Sequence, residues 1–139
     1  MKLQLKDFGA KDNKQLPQRQ YDMDCGADVF APYDWNLEPG ITVTMGLGFG
    51  FDDLPNGTFA LILPRSNLAM KGIHVSPCPI DAGYTKEVHA VLTNMGHDSF
   101  YIKEGERIGQ LFIACCLVPA FQWEPLKKRG DNGLGSTGK

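Results

Sequence analysis

An arginine and a serine stand where an apolar stretch ends and a short helical pattern begins. These residues, Arg65 and Ser66, follow the apolar residues 59–63. The first N–H groups of a helix are unbonded and carry partial positive charge, so an added guanidinium and hydroxyl favour phosphate binding. A capped helix with a surface arginine explains the same pattern, and the motif by itself leaves both interpretations open.

Two further stretches carry side chains that could act on a phosphate or on water. Asp81 and Tyr84 lie between two strand candidates, where an aspartate can orient a water and a tyrosine can pack flat against a sugar. Gln110 enters an apolar strand and could donate to a phosphate. Each stretch has an ordinary alternative, because aspartate is common in β-turns and Glu106 with Arg107 could form a surface ion pair.

The sequence contains one cluster of carboxylates that could reach a metal ion. Asp22, Asp24 and Asp28 are close together, and one of them could contact a phosphate-bound magnesium through water. The three histidines have no regular ligand spacing with the four cysteines. We therefore expect no metal site built from side chains alone.

Strand patterns dominate the chain. Residues 41–51 alternate apolar with polar or glycine residues throughout, which is typical of a half-buried strand. Residues 59–63 and 111–118 are continuous apolar runs that indicate strands buried on both faces. Shorter strand candidates are residues 2–6, 88–93 and 100–103.

Turn-forming residues separate these runs at short intervals, and a helical pattern is almost absent. Only residues 66–71 suggest a helix, with Ser66 as its N-cap. Many short strands divided by turns predict an all-β sandwich, jelly roll or barrel. Residues 127–139 are first basic and then rich in glycine, which is typical either of a disordered tail or of a lid that closes over an anion.

The composition fits one globular domain. The 139 residues have a net charge of −2, without the basic excess that nucleic-acid binding usually requires. The first residues lack a secretory leader and no stretch approaches membrane-spanning length, so we expect a cytoplasmic protein without a membrane partner. No cysteine pair has metal-site or redox spacing, and we expect Cys115 and Cys116 to be reduced and buried in a strand.

The order of the motifs resembles that of the trimeric dUTPases, from about residue 21 to the end of the sequence. The matching stretches are Asp-Cys-Gly-Ala-Asp-Val-Phe-Ala (24–31), Pro-Arg-Ser-Asn-Leu-Ala-Met-Lys-Gly (64–72), Ile-Asp-Ala-Gly-Tyr (80–84), Gly-Glu-Arg-Ile-Gly-Gln-Leu (105–111) and the glycine-rich 129–138. The resemblance implies a jelly-roll-like β-barrel with one short helix over residues 1–128 and a flexible tail, 129–139, that closes over the active site. It also implies a homotrimer with shared active sites.

The resemblance further implies an activity, which is hydrolysis of dUTP to dUMP and pyrophosphate by water attack on the α-phosphate. This reaction limits uracil in DNA and supplies dUMP for dTMP synthesis. Asp81 would orient the water, and Arg65 and Gln110 would hold phosphates, while Asp28 would act on Mg²⁺ through water. The other implied substrate-binding residues are Ser66, Asn67, Val75, Ile80, Tyr84, Arg129, Leu134, Gly135, Ser136 and Thr137.

Three positions depart from the commonest family pattern. Thr85 stands where arginine is frequent and Lys86 where glycine is frequent, and Leu134 stands where a phenylalanine usually stacks on uracil. Thr85 and Lys86 bear on how the motif around Asp81 is supported. Leu134 bears on how tightly the tail closes.

Two functions other than dUTP hydrolysis are known or conceivable for this fold, deamination of dCTP and a non-enzymatic role. The dCTP deaminases share this fold and carry a catalytic glutamate at the position of Val91, which cannot move protons. A non-enzymatic relative would be expected to lose Asp81, Arg65 or the tail, and all three are present. Some phage members also bind a regulatory protein, and this sequence neither supports nor excludes such a partner.

Overall fold

The computed structural model describes residues 1–124 and contains short strands with two helices of one turn each. The order is β1 (Leu5–Asp7), α1 (Ala10–Asn13), β2 (Ala27–Phe30), β3 (Trp35–Leu37), β4 (Thr42–Gly46), β5 (Phe49–Phe51), β6 (Thr58–Leu63), α2 (Ser66–Ala69), β7 (Ile73–Val75), β8 (Ile80–Asp81), β9 (His89–Asn94), β10 (Phe100–Ile102) and β11 (Arg107–Cys115). The all-β prediction is confirmed, and α1 is a helix that the sequence patterns did not indicate.

All the strand pairs are antiparallel, and most join strands that are far apart in sequence. The largest sheet has the order β2-β11-β6-β8, and a second sheet has the order β4-β9-β7. Two further pairs are β1-β5 and β10-β3. This layered arrangement, with sequence-distant strands as neighbours, agrees with the predicted jelly-roll-like fold. No helix among residues 1–124 is long and apolar enough to cross a membrane.

The long strand predicted over residues 41–51 is interrupted. Gly48 has φ +81°, a conformation in which side chains are strained, and it divides β4 from β5. A Cβ at Gly48 would also lie 2.7 Å from the backbone nitrogen of Ala10. Alternation alone did not reveal the break because Phe49 and Phe51 still point into the core, with their rings edge to face at 6.2 Å.

The cysteines are not buried as expected. Cys25, Cys78 and Cys115 are exposed and Cys116 is half-buried, and all four are free thiols. Cys115 is the last residue of β11, beyond the part of that strand that pairs with β2. The apolar run of residues 111–118 therefore continues past the edge of the core instead of remaining inside it.

One polar side chain among residues 1–124 is completely buried, and all its hydrogen-bonding groups have partners. Asn94 has no exposed surface, and its Nδ2 donates to the carbonyls of Leu37 at 2.9 Å and Asp98 at 2.8 Å. Its Oδ1 accepts from the amide of Gly96 at 2.9 Å. Asn94 thus joins the end of β9 to β3 and to the turn that leads into β10.

We expect Asn94→Ala to destabilise the fold by about 2–3 kcal/mol, because it leaves buried carbonyl and amide groups without partners. Chemical denaturation followed by circular dichroism measures this change. The matched control is Asn36→Ala at an exposed position on β3, which should change the midpoint very little. Equal effects of the two substitutions would contradict the role given to Asn94.

Candidate active site

Asp28 and Gln110 lie side by side on the largest sheet. Asp28 on β2 is directly opposite Gln110 on β11, and Gln110 is opposite Leu63 at the end of β6. Residues directly opposite each other in an antiparallel pair project from the same face of the sheet. Arg65 follows β6 after one intervening residue, so the chain brings its guanidinium to the edge of this pair.

A β-bulge adds Arg107 to the same face. Two residues of β11 lie between Arg107 and Gln110, whereas only one residue of β2 lies between their partners Phe30 and Asp28. An extra residue reverses the alternation of side chains, so Arg107 projects on the side of Asp28 and not into the core. The ion pair between Glu106 and Arg107, one alternative from the sequence, is replaced by a pair between Arg107 and Asp28.

Two guanidinium groups face one carboxylate in this cluster. Arg65 Nε is 3.8 Å from Asp28 Oδ1 and Arg107 Nε is 3.4 Å from Asp28 Oδ2. The Asp28 side chain is only 15% exposed. Arg65 Nε is buried and has no hydrogen-bond partner among the described residues, and buried donors without partners are rare. The cluster has an excess of positive charge and a free donor, as an anionic ligand requires.

Three residues of the cluster, Asp28, Arg65 and Gln110, line a cavity of about 270 Å³, whose walls also include Gln20, Asp24, Cys25 and Gly26. A Cβ on Gly26 would lie 2.8 Å from Cζ of Phe112 and 3.0 Å from Oε1 of Gln110. Glycine at this position therefore keeps Gln110 in place and the cavity open. The first family-like motif contains Gly26, but sequence reasoning assigned it no role.

A second group of predicted site residues surrounds Asp81. Strand β8 pairs with β6, with Asp81 opposite Phe59 and Ile80 opposite Ala60. The chain then turns, and the Tyr84 amide donates to the Asp81 carbonyl at 3.0 Å. Asp81 is exposed, so its carboxylate is free to meet a ligand or water.

Asp81 lies between two cavities. One, of about 220 Å³, is lined by Cys78, Pro79, Ile80, Asp81, Tyr84, Val88, His89 and Val91. The other, of about 600 Å³, is lined by residues 56–59, 81–82 and 116–118. Val91 presents an apolar side chain to the smaller cavity.

The two groups lie on the same face of the sheet but far apart. Asp81 is opposite Phe59 and Gln110 is opposite Leu63, so they are separated by about 13 Å along β6. They are also two strands apart, which adds about 10 Å across the sheet. One phosphate group cannot contact both Asp81 and Gln110 of the same chain. The described chain therefore has two separate groups of candidate residues, which we name after the ligands expected from the sequence: the phosphate half-site (Asp28, Arg65, Arg107 and Gln110) and the nucleoside half-site (Ile80, Asp81 and Tyr84).

The other residues that the sequence predicts to bind substrate differ in their position and exposure. Arg65, and not Ser66, occupies the N-cap of α2, and its extended backbone makes no side-chain cap. Ser66 and Asn67 are exposed on α2, whereas the Val75 side chain is buried in β7, so only its backbone can face a ligand. Predicted site residues Arg129, Leu134, Gly135, Ser136 and Thr137 lie outside the described residues, and the domain boundary after residue 128 stays a prediction.

A model of the dUTPase family matches residues 12–138. The chain belongs to the dUTPase family. The deoxyuridine 5'-triphosphate nucleotidohydrolase of Clostridium tetani is 36% identical over 135 residues, covering 93% of this chain and 92% of the relative. The enzyme of the same name from Corynebacterium diphtheriae is 40% identical over 130 residues, covering 88% of this chain and 85% of the relative.

Solved dUTPase structures share the fold. A mutant dUTPase from phage phi11 of S. aureus, which coordinates a structural Mg(II) ion, superposes with a TM-score of 0.81 at 20% identity and covers 89% of this chain and 97% of its own. The dUTPase of EIAV superposes with a TM-score of 0.77 at 24% identity and covers 92% of this chain and 98% of its own. These likenesses establish the jelly-roll-like β fold of the family for this chain.

Proposed function

We propose that this protein is a dUTP diphosphatase that hydrolyses dUTP to dUMP and pyrophosphate by attack of water on the α-phosphorus. The observation that carries the proposal is the pair of half-sites on one sheet face, one cationic and one with a free carboxylate beside a tyrosine. Relatives at 36–40% identity carry the name deoxyuridine 5'-triphosphate nucleotidohydrolase. The reaction would limit uracil in DNA and provide dUMP for dTMP synthesis in the cytoplasm.

The phosphate half-site supports charge neutralisation. Phosphoryl transfer needs positioned positive charge more than covalent chemistry. Within residues 1–124 the buried Nε donor of Arg65 has no hydrogen-bond partner, and the side-chain amide of Gln110 lines the same cavity. Arg107 holds Asp28 and leaves Arg65 at a longer distance from that carboxylate, 3.8 Å against 3.4 Å. Arg65 lines the cavity next to Gln110 and Arg107 does not, so Arg65 is the guanidinium placed to bind phosphate oxygens there.

The nucleoside half-site supports orientation of water and selection of the sugar. The Asp81 carboxylate accepts a hydrogen bond from the attacking water and directs it at the α-phosphorus. Tyr84 forms a wall of the same cavity, and its ring packed against the sugar would exclude a 2′-hydroxyl. Backbone groups of residues 75–84 read uracil, because cytosine would place donors against donors.

The separation of the half-sites supports assembly into a homotrimer with shared active sites. One chain would supply Arg65 and Gln110, and its neighbour would supply Asp81 and Tyr84. Apolar surface is available for such contacts: Leu117, Val118, Phe121 and Trp123 are between 80% and 99% exposed. Large apolar side chains exposed in such number favour an interaction surface on this segment. The tail, residues 129–139, would close over the bound nucleotide.

The residues of the phosphate half-site fit a magnesium ion bound with the triphosphate. Asp28 and Asp24 present oxygen ligands to the cavity, which is the donor type that Mg²⁺ prefers, usually with waters and phosphate oxygens. No three His, Cys, Asp or Glu side chains converge within residues 1–124. Asp28 would therefore hold the ion through water. The bound ion would neutralise charge on the phosphate oxygens.

The proposal is tested by measuring pyrophosphate release from dUTP, dCTP, dTTP and UTP side by side, with and without magnesium. We expect dUTP to be hydrolysed far faster than the other three and only in the presence of magnesium. Ammonia release from dCTP is measured in parallel and should be absent. Equal rates for all four nucleotides, or no pyrophosphate from dUTP, would contradict the proposed function.

A further inference from the structure

One backbone carbonyl in the nucleoside half-site accepts two side-chain hydrogen bonds. The Tyr84 hydroxyl donates to the Glu87 carbonyl at 2.8 Å, and Nδ1 of His89 lies 3.0 Å from the same oxygen. A carbonyl oxygen has two lone pairs and no hydrogen, so it can accept both bonds and Nδ1 must carry a proton. The hydroxyl at the far end of the Tyr84 ring is thus hydrogen-bonded to the segment just before β9.

The residue that provides this carbonyl is itself anchored to the core. Oε2 of Glu87 accepts from the amide of Gly48 at 2.8 Å, in the turn between β4 and β5. On the next residue, the Val88 amide donates to the Phe49 carbonyl and its carbonyl accepts from the Leu47 amide, both at 2.8 Å. These bonds give the Glu87 carbonyl a defined position relative to the core.

The anchor depends on a glycine. A Cβ on Gly46 would lie 2.6 Å from Oε2 of Glu87, so only glycine leaves space for this carboxylate on β4. Tyr84, by contrast, is 36% exposed, and packing alone leaves its ring partly free. The hydrogen bonds to Glu87 therefore determine where the ring stands in the wall of the cavity.

We propose that Glu87 and His89 are positioning residues that hold the Tyr84 ring and thereby set discrimination between 2′-deoxy and 2′-hydroxy nucleotides. The inference rests on the proposed function and assigns to this site the residues that control its sugar specificity. His89 lines the same cavity as Tyr84, and the role proposed for it is exerted through its bond to the Glu87 carbonyl. Its loss should loosen the ring and admit a 2′-hydroxyl without removing any group that contacts phosphate.

The test compares His89→Leu with His89→Asn. Leucine removes the donor, whereas the Asn amide can place a donor near the position of Nδ1. We expect the ratio of kcat/KM for dUTP over UTP to fall about fivefold in His89→Leu, the effect of about one hydrogen bond, and to stay within about twofold of wild type in His89→Asn. Most of the change should be a gain with UTP. An unchanged ratio in His89→Leu, or equal loss in both variants, would overturn the proposal.

A second measurement needs no nucleotide and separates this inference from the proposed function. Hydrogen exchange of the amides in residues 82–88 should become faster in His89→Leu and in Glu87→Ala, and stay close to wild type in His89→Asn and in Glu87→Gln, whose amide oxygen can still accept from Gly48. Wild type inactive on dUTP would overturn the function, and the exchange results would then still decide whether His89 and Glu87 hold the Tyr84 ring. Exchange unaffected by His89→Leu would overturn the inference alone.

Discussion

Replacing Asp81 with asparagine is expected to lower kcat for dUTP by about 10²–10⁴-fold while nucleotide binding is retained. Asn has nearly the same size as Asp and can still accept a hydrogen bond from water, but its neutral amide cannot take the proton of the attacking water. Asp81 is exposed on β8, away from the core, so the fold should not change. Pyrophosphate release measures turnover, and calorimetric titration with a non-hydrolysable dUTP analogue measures binding.

The matched control is Asp53→Asn, which makes the same chemical change at an exposed position outside both half-sites. It should have the activity of the wild type. If Asp81→Asn turns over dUTP at nearly the normal rate, Asp81 is a turn residue and another group orients the water. If binding is lost together with turnover, Asp81 has a role in holding the nucleotide, and the proposed mechanism needs revision.

A mixture of two inactive variants is expected to recover activity. Arg65→Ala removes the guanidinium of the phosphate half-site, and Asp81→Asn removes the carboxylate of the nucleoside half-site. If each active site combines the two half-sites from different chains, some sites in mixed assemblies contain neither substitution. Random mixing in equal amounts predicts about one quarter of the sites to be intact in a symmetric homo-oligomer. Refolding the variants together and assaying pyrophosphate release measures the recovery.

The matched control mixes Arg65→Ala with Gln110→Ala. Both residues belong to the phosphate half-site and line the same cavity in one chain. No exchange of chains can restore a phosphate half-site in this mixture, so its activity should stay at the level of the separate variants. Recovery in the control would show that Arg65 and Gln110 do not act from the same chain, and no recovery with Asp81→Asn would show that a single chain contains the complete site.

Several features were readable in the sequence because they depend on local patterns. Alternation and turn residues were enough to predict an all-β chain, since side chains of a strand alternate between core and solvent wherever the strand is placed. The order of the motifs around Asp28, Arg65, Asp81 and Gln110 was enough to identify the family. The helical pattern after Arg65 was also correct in place, although the helix is only one turn long.

Other predictions from local patterns were wrong where a distant contact intervened. Residues 41–51 look like one strand, but Gly48 breaks it because the backbone of Ala10 occupies the adjacent space. Cys115 looks buried because it follows apolar residues, yet no strand of the largest sheet covers that end of β11 toward β2. The position of Ala10 and the extent of β2 cannot be predicted from the residues next to Gly48 or Cys115.

The sequence by itself determined which chemical groups the protein has and on which strands and turns they lie. Only the tertiary structure decided how they combine: the bulge that turns Arg107 toward Asp28, the two donors that share the Glu87 carbonyl, and the distance that divides Asp81 from Gln110. The physical reason is strand register. A shift of one residue reverses the face of every side chain, and register between sequence-distant strands is determined by packing of the whole sheet.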